Sequence, residues 1–139
     1  MPHDLTRFTT AQAAHLDNIR AELTAGQKRT HWMWFVFPQL TALGRSPMAE
    51  RYGIADLAEA RAYLADPVLG PRLIEMTGIV DAVQGRTAHQ IFGDPDDLKF
   101  RSSMTLFAQA DPDEPAFRQA LAKYYASEPD PRTLEILRA

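Results

Sequence analysis

The chain has 139 residues, of which 45% are hydrophobic and 24% charged, and its formal net charge at pH 7 is −3. This length fits one domain, residues 1–139, with the composition of a folded globular protein rather than a disordered one. The absence of cysteine excludes disulfides, cysteine-based zinc sites and thiol nucleophiles, and the lack of a block of like charges argues against a nucleic-acid partner.

The sequence leads us to expect neither a signal peptide nor a membrane-spanning segment. Residues 1–5 have neither a basic segment nor an apolar core of the kind found in signal peptides. The longest apolar run, residues 32–37, is six residues long, far below the ~20 that span a bilayer. We therefore expect a cytoplasmic protein without membrane contact; the sequence leaves its oligomeric state open.

The first predicted element is a helix over residues 6–24. Apolar residues recur there at three- and four-residue spacings, which is the pattern of one helix face. Asp4 or Thr6 can cap its start, and Gly26 follows its end in the position that glycine usually takes.

The aromatic run at residues 32–37 (WMWFVF) has the composition of a strand. No other stretch offers a partner strand, however, and an isolated buried strand would leave its backbone groups unpaired. We therefore predict a short central helix, capped by Thr30 and ended before Pro38, and a loop over residues 39–48.

Aspartates mark several of the later helix starts. Asp56 is predicted to cap a helix over residues 57–65, and Asp66 to cap the next one. Three further helices follow, bounded by Thr87 and Gly93, by Asp94 and Ala110, and by Pro115 and Ala126, before a last one that begins at Asp130. The expected fold is all-α, a single compact domain of six to eight short helices.

Residues 28–39 form the first candidate site. Lys28, Arg29 and His31 precede the aromatic run that contains Trp32 and Trp34, so cations and an imidazole are expected where the core meets solvent. In such a pocket His31 could exchange protons with a ligand. The alternative is that His31 is a structural residue.

Residues 94–107 form the second candidate site. Lys99, Arg101, Ser102 and Ser103 fall on a largely apolar helix, and cations with hydroxyls are the groups that phosphate or carboxylate oxygens need. The alternative is that the cations pair with nearby acids and the hydroxyls bond back to helix carbonyls.

Other catalytic and cofactor signals are sparse. Asp97 could serve as an acid or base if a cleft reaches it, although acids at helix starts are also explained by the helix dipole. The four histidines show no metal-ligand spacing, and no phosphate loop, dinucleotide fingerprint or nucleophile elbow is present. We therefore predict no metal and no cofactor.

Motifs along nearly the whole chain resemble the bacterial domain-of-unknown-function family 1810, which is sometimes labelled calpastatin. The residues that carry the resemblance are Leu5, Phe8, Ala11, Gln12, His31-Trp32-Met33-Trp34-Phe35-x-Phe37-Pro38-Gln39, Leu43-Gly44-x-Ser46, Tyr52-x-Ile54, Glu59-Ala60-x-Ala62-Tyr63-Leu64, Leu69-Gly70-x-Arg72-Leu73, Ile91-Phe92-Gly93, Asp96-Asp97-x-Lys99-x-Arg101-Ser102-Ser103-Met104-Thr105-Leu106-Phe107 and Thr133-Leu134. The resemblance implies a small, mainly helical domain and brings no established function. Calpastatin-type inhibitors are disordered repeats, unlike this aromatic-rich chain.

Three functional hypotheses follow. In the first, the two candidate sites share one pocket that binds a nucleotide-like or other anionic small molecule, and His31 or Asp97 acts as acid–base if the ligand is hydrolysed or its group transferred. In the second, the protein is a non-catalytic interaction module with a structural aromatic core. The third rests on a similarity to the NAD- and ADP-ribose-associated glycohydrolases, whose Glu-His-x-x-Gln-type motif this chain lacks, since no histidine follows Glu50.

Overall fold

The computed structural model describes residues 3–138, which form ten α-helices and one 3-10 turn without a β-strand. The helices are α1 (Thr6–Ala13), α2 (Leu16–Thr24), α3 (Met33–Val36), α4 (Pro47–Arg51), α5 (Leu57–Ala65), α6 (Leu69–Ala82), α7 (Ala88–Phe92), α8 (Asp96–Ala110), α9 (Pro115–Tyr125) and α10 (Pro131–Arg138). The predicted all-α fold is confirmed, although with ten helices rather than six to eight. The predicted domain boundaries, 1–139, include Met1, Pro2 and Ala139, which lie outside the described residues.

The prediction of a continuous helix over residues 6–24 was wrong. The chain turns at Ala14 and His15, where the His15 amide donates to the Gln12 carbonyl at 3.0 Å. Gln12 lies at this break with its side chain buried, and its amide donates to the Phe35 carbonyl and the Tyr63 hydroxyl. No glycine or proline marks the break, so these tertiary contacts, rather than a local signal, fix the end of α1.

The aromatic run forms the predicted short helix, α3, but Thr30 does not cap it. Trp32 occupies the cap position without a side-chain hydrogen bond, and the Thr30 hydroxyl instead donates to Glu22 at 2.7 Å. The predicted loop over 39–48 was also incomplete, since it contains the 3-10 turn Thr41–Leu43 and the first residues of α4.

Local capping signals were more reliable in the middle of the chain. Asp56 accepts the Glu59 amide at the start of α5, and Thr87 forms a reciprocal capping box with Gln90 at α7. Asp66 accepts two amides as predicted, but α6 begins only at Leu69. These side chains satisfy amides that have no partner within their helix.

The core lies mainly between α5, α6, α8 and α9. Residues from near both ends of the sequence belong to it or pack against it. Five of the six side chains in the aromatic run are buried, and only Trp34 is partly exposed. Phe37 packs edge-on against Phe100 of α8, with ring centroids 4.9 Å apart. The aromatic run therefore lies directly against the helix that carries the second candidate site.

Candidate functional site

A shallow groove lies between α3, the end of α4 and the first turn of α8. Its lining is mainly apolar and consists of Met33, Trp34, Phe37, Gln39, Ala49, Tyr52, Gly53 and Lys99. The Lys99 ammonium lies 5.1 Å from the centroid of the Trp34 ring, which is a cation–π contact. Four residues of the first candidate stretch and one of the second therefore line a common groove.

Asp96 joins two lysines beside this groove. Its carboxylate lies 2.9 Å from the Lys28 ammonium and 3.6 Å from the Lys99 ammonium. Lys28 is 7% exposed and also lies over the Trp32 ring at 5.3 Å. The Asp96 carboxylate therefore bridges two ammonium groups, and the Lys99 ammonium is the one that lies at the groove.

Two polar groups of the groove have no protein partner among residues 3–138. These are the indole N–H of Trp34 and the side-chain amide of Gln39. The free space in the groove is enough for about one water molecule. A larger ligand would therefore have to displace Lys99 from the Trp34 ring.

Glu22 holds the aromatic run in place, and sequence reasoning missed it. Its carboxylate accepts the amides of Arg29 and Thr30, the Thr30 hydroxyl and the Trp32 indole N–H. Burial raises the pKa of this carboxyl, but the hydrogen bonds outweigh burial and leave the pKa below its usual value. An acid on the same helix face as Ile19 and Leu23 was the available signal.

Arg101 and Ser102 face the C-terminal segment and do not line the groove. The Arg101 guanidinium donates to the carbonyls of Glu128 and Pro129. The Ser102 hydroxyl bonds the Leu98 carbonyl and the Asp130 carboxylate, at 3.1 and 3.2 Å. These contacts match the structural alternative for this helix, in which its polar side chains serve the fold.

Ser103 lies in the protein interior, whereas Arg29 lies on the surface. Ser103 is fully buried, and its hydroxyl has no hydrogen-bond partner in the described chain. Arg29 is exposed, with its guanidinium 3.5 Å from the Gln27 side-chain oxygen. Neither residue lines the groove.

The two predicted acid–base residues also lie outside the groove lining. His31 is exposed. The Asp97 side chain is 18% exposed, lies 3.5 Å from the His89 ring nitrogen and accepts the amide of Leu98. The structure therefore brings Lys28, Trp32, Trp34 and Lys99 together and leaves the other predicted site residues apart from them.

Two further features of residues 3–138 bear on the kind of site. No three histidine, aspartate or glutamate side chains in this range converge as metal ligands would. No helix in the same range has the length and apolar character to cross a bilayer.

Comparison with known proteins assigns the chain to a family. The chain matches, over residues 2–137, the family described as protein of unknown function DUF1810. It is 56% identical to the conserved hypothetical protein Rv1873 from Mycobacterium tuberculosis, whose crystal structure superposes with a TM-score of 0.98 over 100% of this chain and 99% of that one. No functionally curated protein matches. The chain therefore belongs to the DUF1810 family.

Proposed function

We propose that this protein binds a small molecule that combines a flat ring with an anionic group, in the groove between Trp34 and Lys99. The observation that carries this proposal is the cation–π contact between these two side chains at 5.1 Å, beside a second ammonium group, that of Lys28, which shares the Asp96 carboxylate with Lys99. A partly exposed aromatic ring with an ammonium group over it offers both halves of the recognition that such a ligand needs.

Binding would exchange one set of contacts for another. The ligand ring would stack on Trp34 in the place of the Lys99 ammonium, a contact of the kind that is worth about 1–3 kcal/mol for nucleic-acid bases. Lys99 would then turn to the anionic group, while the Gln39 amide and the Trp34 indole N–H supply hydrogen bonds. Nucleotides, NAD and ADP-ribose have this combination of ring and charge.

The test is thermal unfolding and tryptophan fluorescence with ADP-ribose, NAD and mononucleotides. A ligand at 100 times its Kd should stabilise the native state by about 2.7 kcal/mol. Trp34→Leu and Lys99→Met should each abolish this stabilisation, whereas the exposed Arg29→Met should keep it. No stabilisation at millimolar ligand, or equal stabilisation in all three variants, would contradict the proposal.

His31 and Asp97 lie outside the groove lining, so we propose binding without assigning a reaction. Hydrolysis or group transfer, including the glycohydrolase hypothesis, would be detected as release of nicotinamide or phosphate in the same incubations. Loss of such turnover in His31→Ala or Asp97→Asn, with binding intact, would support the predicted acid–base roles.

The second candidate is a non-catalytic interaction module. Two observations favour it. Arg101 donates hydrogen bonds to carbonyls of its own chain, and His31 is exposed and does not line the groove. In this case Trp34→Leu would leave every small-molecule titration unchanged.

A further inference from the structure

A narrow seam runs between α2 and α6, below the turn that separates α1 from α2. Its walls are apolar and its mouth is polar, and the seven lining residues are Leu16, Ile19, Val36, Leu73, Met76, Gln12 and Arg72. The side chains pack closely enough that the seam does not admit a water molecule. The one charged residue in its lining is Arg72.

Arg72, at the mouth, has no acidic partner. One nitrogen of its half-buried guanidinium donates to the Gln12 side-chain oxygen at 3.1 Å, and no carboxylate of residues 3–138 forms a salt bridge with it. By contrast, Arg20 of α2 makes a two-pronged pair with Glu75 of α6, at 3.0 and 3.1 Å. The same pair of helices thus gives one arginine a salt bridge and leaves the other without one among residues 3–138.

Gln12 fixes the direction of this free charge. Its side chain is 3% exposed, and its nitrogen donates to the Phe35 carbonyl and the Tyr63 hydroxyl. The amide oxygen must therefore point at Arg72. Because this acceptor is neutral, it orients the guanidinium without cancelling its charge, and the remaining N–H groups stay available to an anion.

We propose that this seam is a second binding site, for a short aliphatic carboxylate. The carboxylate takes the two-pronged position on Arg72 that a glutamate would otherwise fill, and the alkyl tail enters between α2 and α6. Met76 and the half-buried Leu16 move apart to admit the tail, which an unbranched methionine side chain permits at little cost. This site is independent of the Trp34 groove.

The experiment is an amide-resolved NMR titration at constant ionic strength with acetate, butanoate, hexanoate and octanoate, and with hexanamide as the neutral analogue. Affinity should rise along the series because each added methylene is removed from water, and hexanamide should bind at least about tenfold more weakly than hexanoate. Shifts should centre on Leu16, Arg72 and Met76. Equal affinity for acetate and octanoate would identify a surface anion contact and overturn the proposal.

Variants separate the two ends of the site. Arg72→Met should weaken hexanoate binding at least about tenfold, whereas Arg118→Met, at an exposed position of α9, should leave it unchanged. Leu16→Phe should fill the seam and remove the dependence on chain length while Arg72 stays intact. Hexanoate binding that survives in a folded Arg72→Met variant, or no shifts at millimolar hexanoate in the native protein, would overturn the proposal; Trp34→Leu should not affect it.

Discussion

Asp81, near the end of α6, is an acidic residue whose carboxylate is shielded from solvent. Both of its carboxylate oxygens are buried without a hydrogen-bond donor from residues 3–138. The nearby Lys123 ammonium donates instead to the backbone carbonyls of Asp81 and Val83. Burial raises the pKa of Asp81 to about 6, against the opposing effect of Lys123. Ionisation of this residue at neutral pH therefore works against folding.

The sign of this effect can be measured. An acid whose pKa folding has raised keeps its proton in the native state between roughly pH 4 and 6, where the unfolded chain has lost it, so stability falls as the pH rises through this window. Asp81→Asn should therefore increase the free energy of unfolding at pH 8 by about 1–2 kcal/mol, a value reduced for the partial exposure of the side chain. Urea denaturation should show that the gain disappears by pH 4. Asp113→Asn, in an exposed loop, is the control; a gain from Asp81→Asn that is equal at both pH values would rule out the charge as its cause.

Glu22 behaves in the opposite way because its native pKa is lowered. Its contribution to stability is present above the unfolded pKa of about 4.5 and is lost as the pH falls through the lower native value. Glu22→Ala would leave the Trp32 indole and two amides without their acceptor, so we expect a loss of about 2–4 kcal/mol at pH 7. The loss should shrink in acid, measured against Glu50→Ala at an exposed position. A loss that stays constant down to pH 3 would contradict this account of Glu22.

At the scale of the element, the polar side chains of α8 anchor α10. The Asp130 carboxylate accepts the Ser102 hydroxyl together with the amide and hydroxyl of Thr133. The Asp130 amide in turn donates to the Thr105 hydroxyl at 2.8 Å. Asp130 thus caps α10 and ties it to α8 at the same time.

Removing this anchor should release α10 without unfolding the protein. Asp130→Ala deletes the helix cap and leaves the Ser102 and Thr133 hydroxyls without their acceptor, so we expect a loss of about 1–3 kcal/mol confined to the C-terminal segment. Hydrogen exchange should quicken over residues 127–138 and stay unchanged in α5 and α6. Glu135→Ala, at an exposed position of the same helix, should have little effect. A uniform rise in exchange across all helices would argue against a local role.

The elements also show which parts of the fold the sequence could predict. Caps such as Asp56 and Thr87 accept a backbone amide three residues further along the chain, so the local sequence is enough to predict them. The break between α1 and α2 depends on Gln12 reaching Phe35 and Tyr63, which are 23 and 51 positions away. No local pattern can reveal contacts of that kind.

The same distinction applies to the candidate site at the scale of the whole molecule. The two stretches do meet, through the Lys28–Asp96 ion pair and the contact between Phe37 and Phe100, as their shared apolar character suggested. The sequence could not show on which side of α8 each polar residue lies. In the structure Lys99 lines the groove, whereas Ser102, three residues later, bonds Asp130 just before α10.

Substitution of Phe37 can test whether the core unfolds as one unit. Its buried ring contacts Trp32, Phe92 and Phe100, at centroid distances of 6.3, 6.0 and 4.9 Å. Phe37→Ala should cost about 3–5 kcal/mol, which for a chain of this length lowers the Tm by roughly 10–15 °C. Leu98→Ala, at a position that is 54% exposed on α8, should change the Tm little.

The two tryptophans make this experiment informative about cooperativity. Both lie in the aromatic run, at positions 32 and 34, so their fluorescence reports that segment alone, whereas far-UV circular dichroism reports the helical content of the protein. Because the run packs onto α8 through Phe37, we expect the two melting curves of the native protein and of Phe37→Ala to coincide. A fluorescence transition that precedes the loss of helix would show instead that the aromatic run separates from a helical core which remains folded without it.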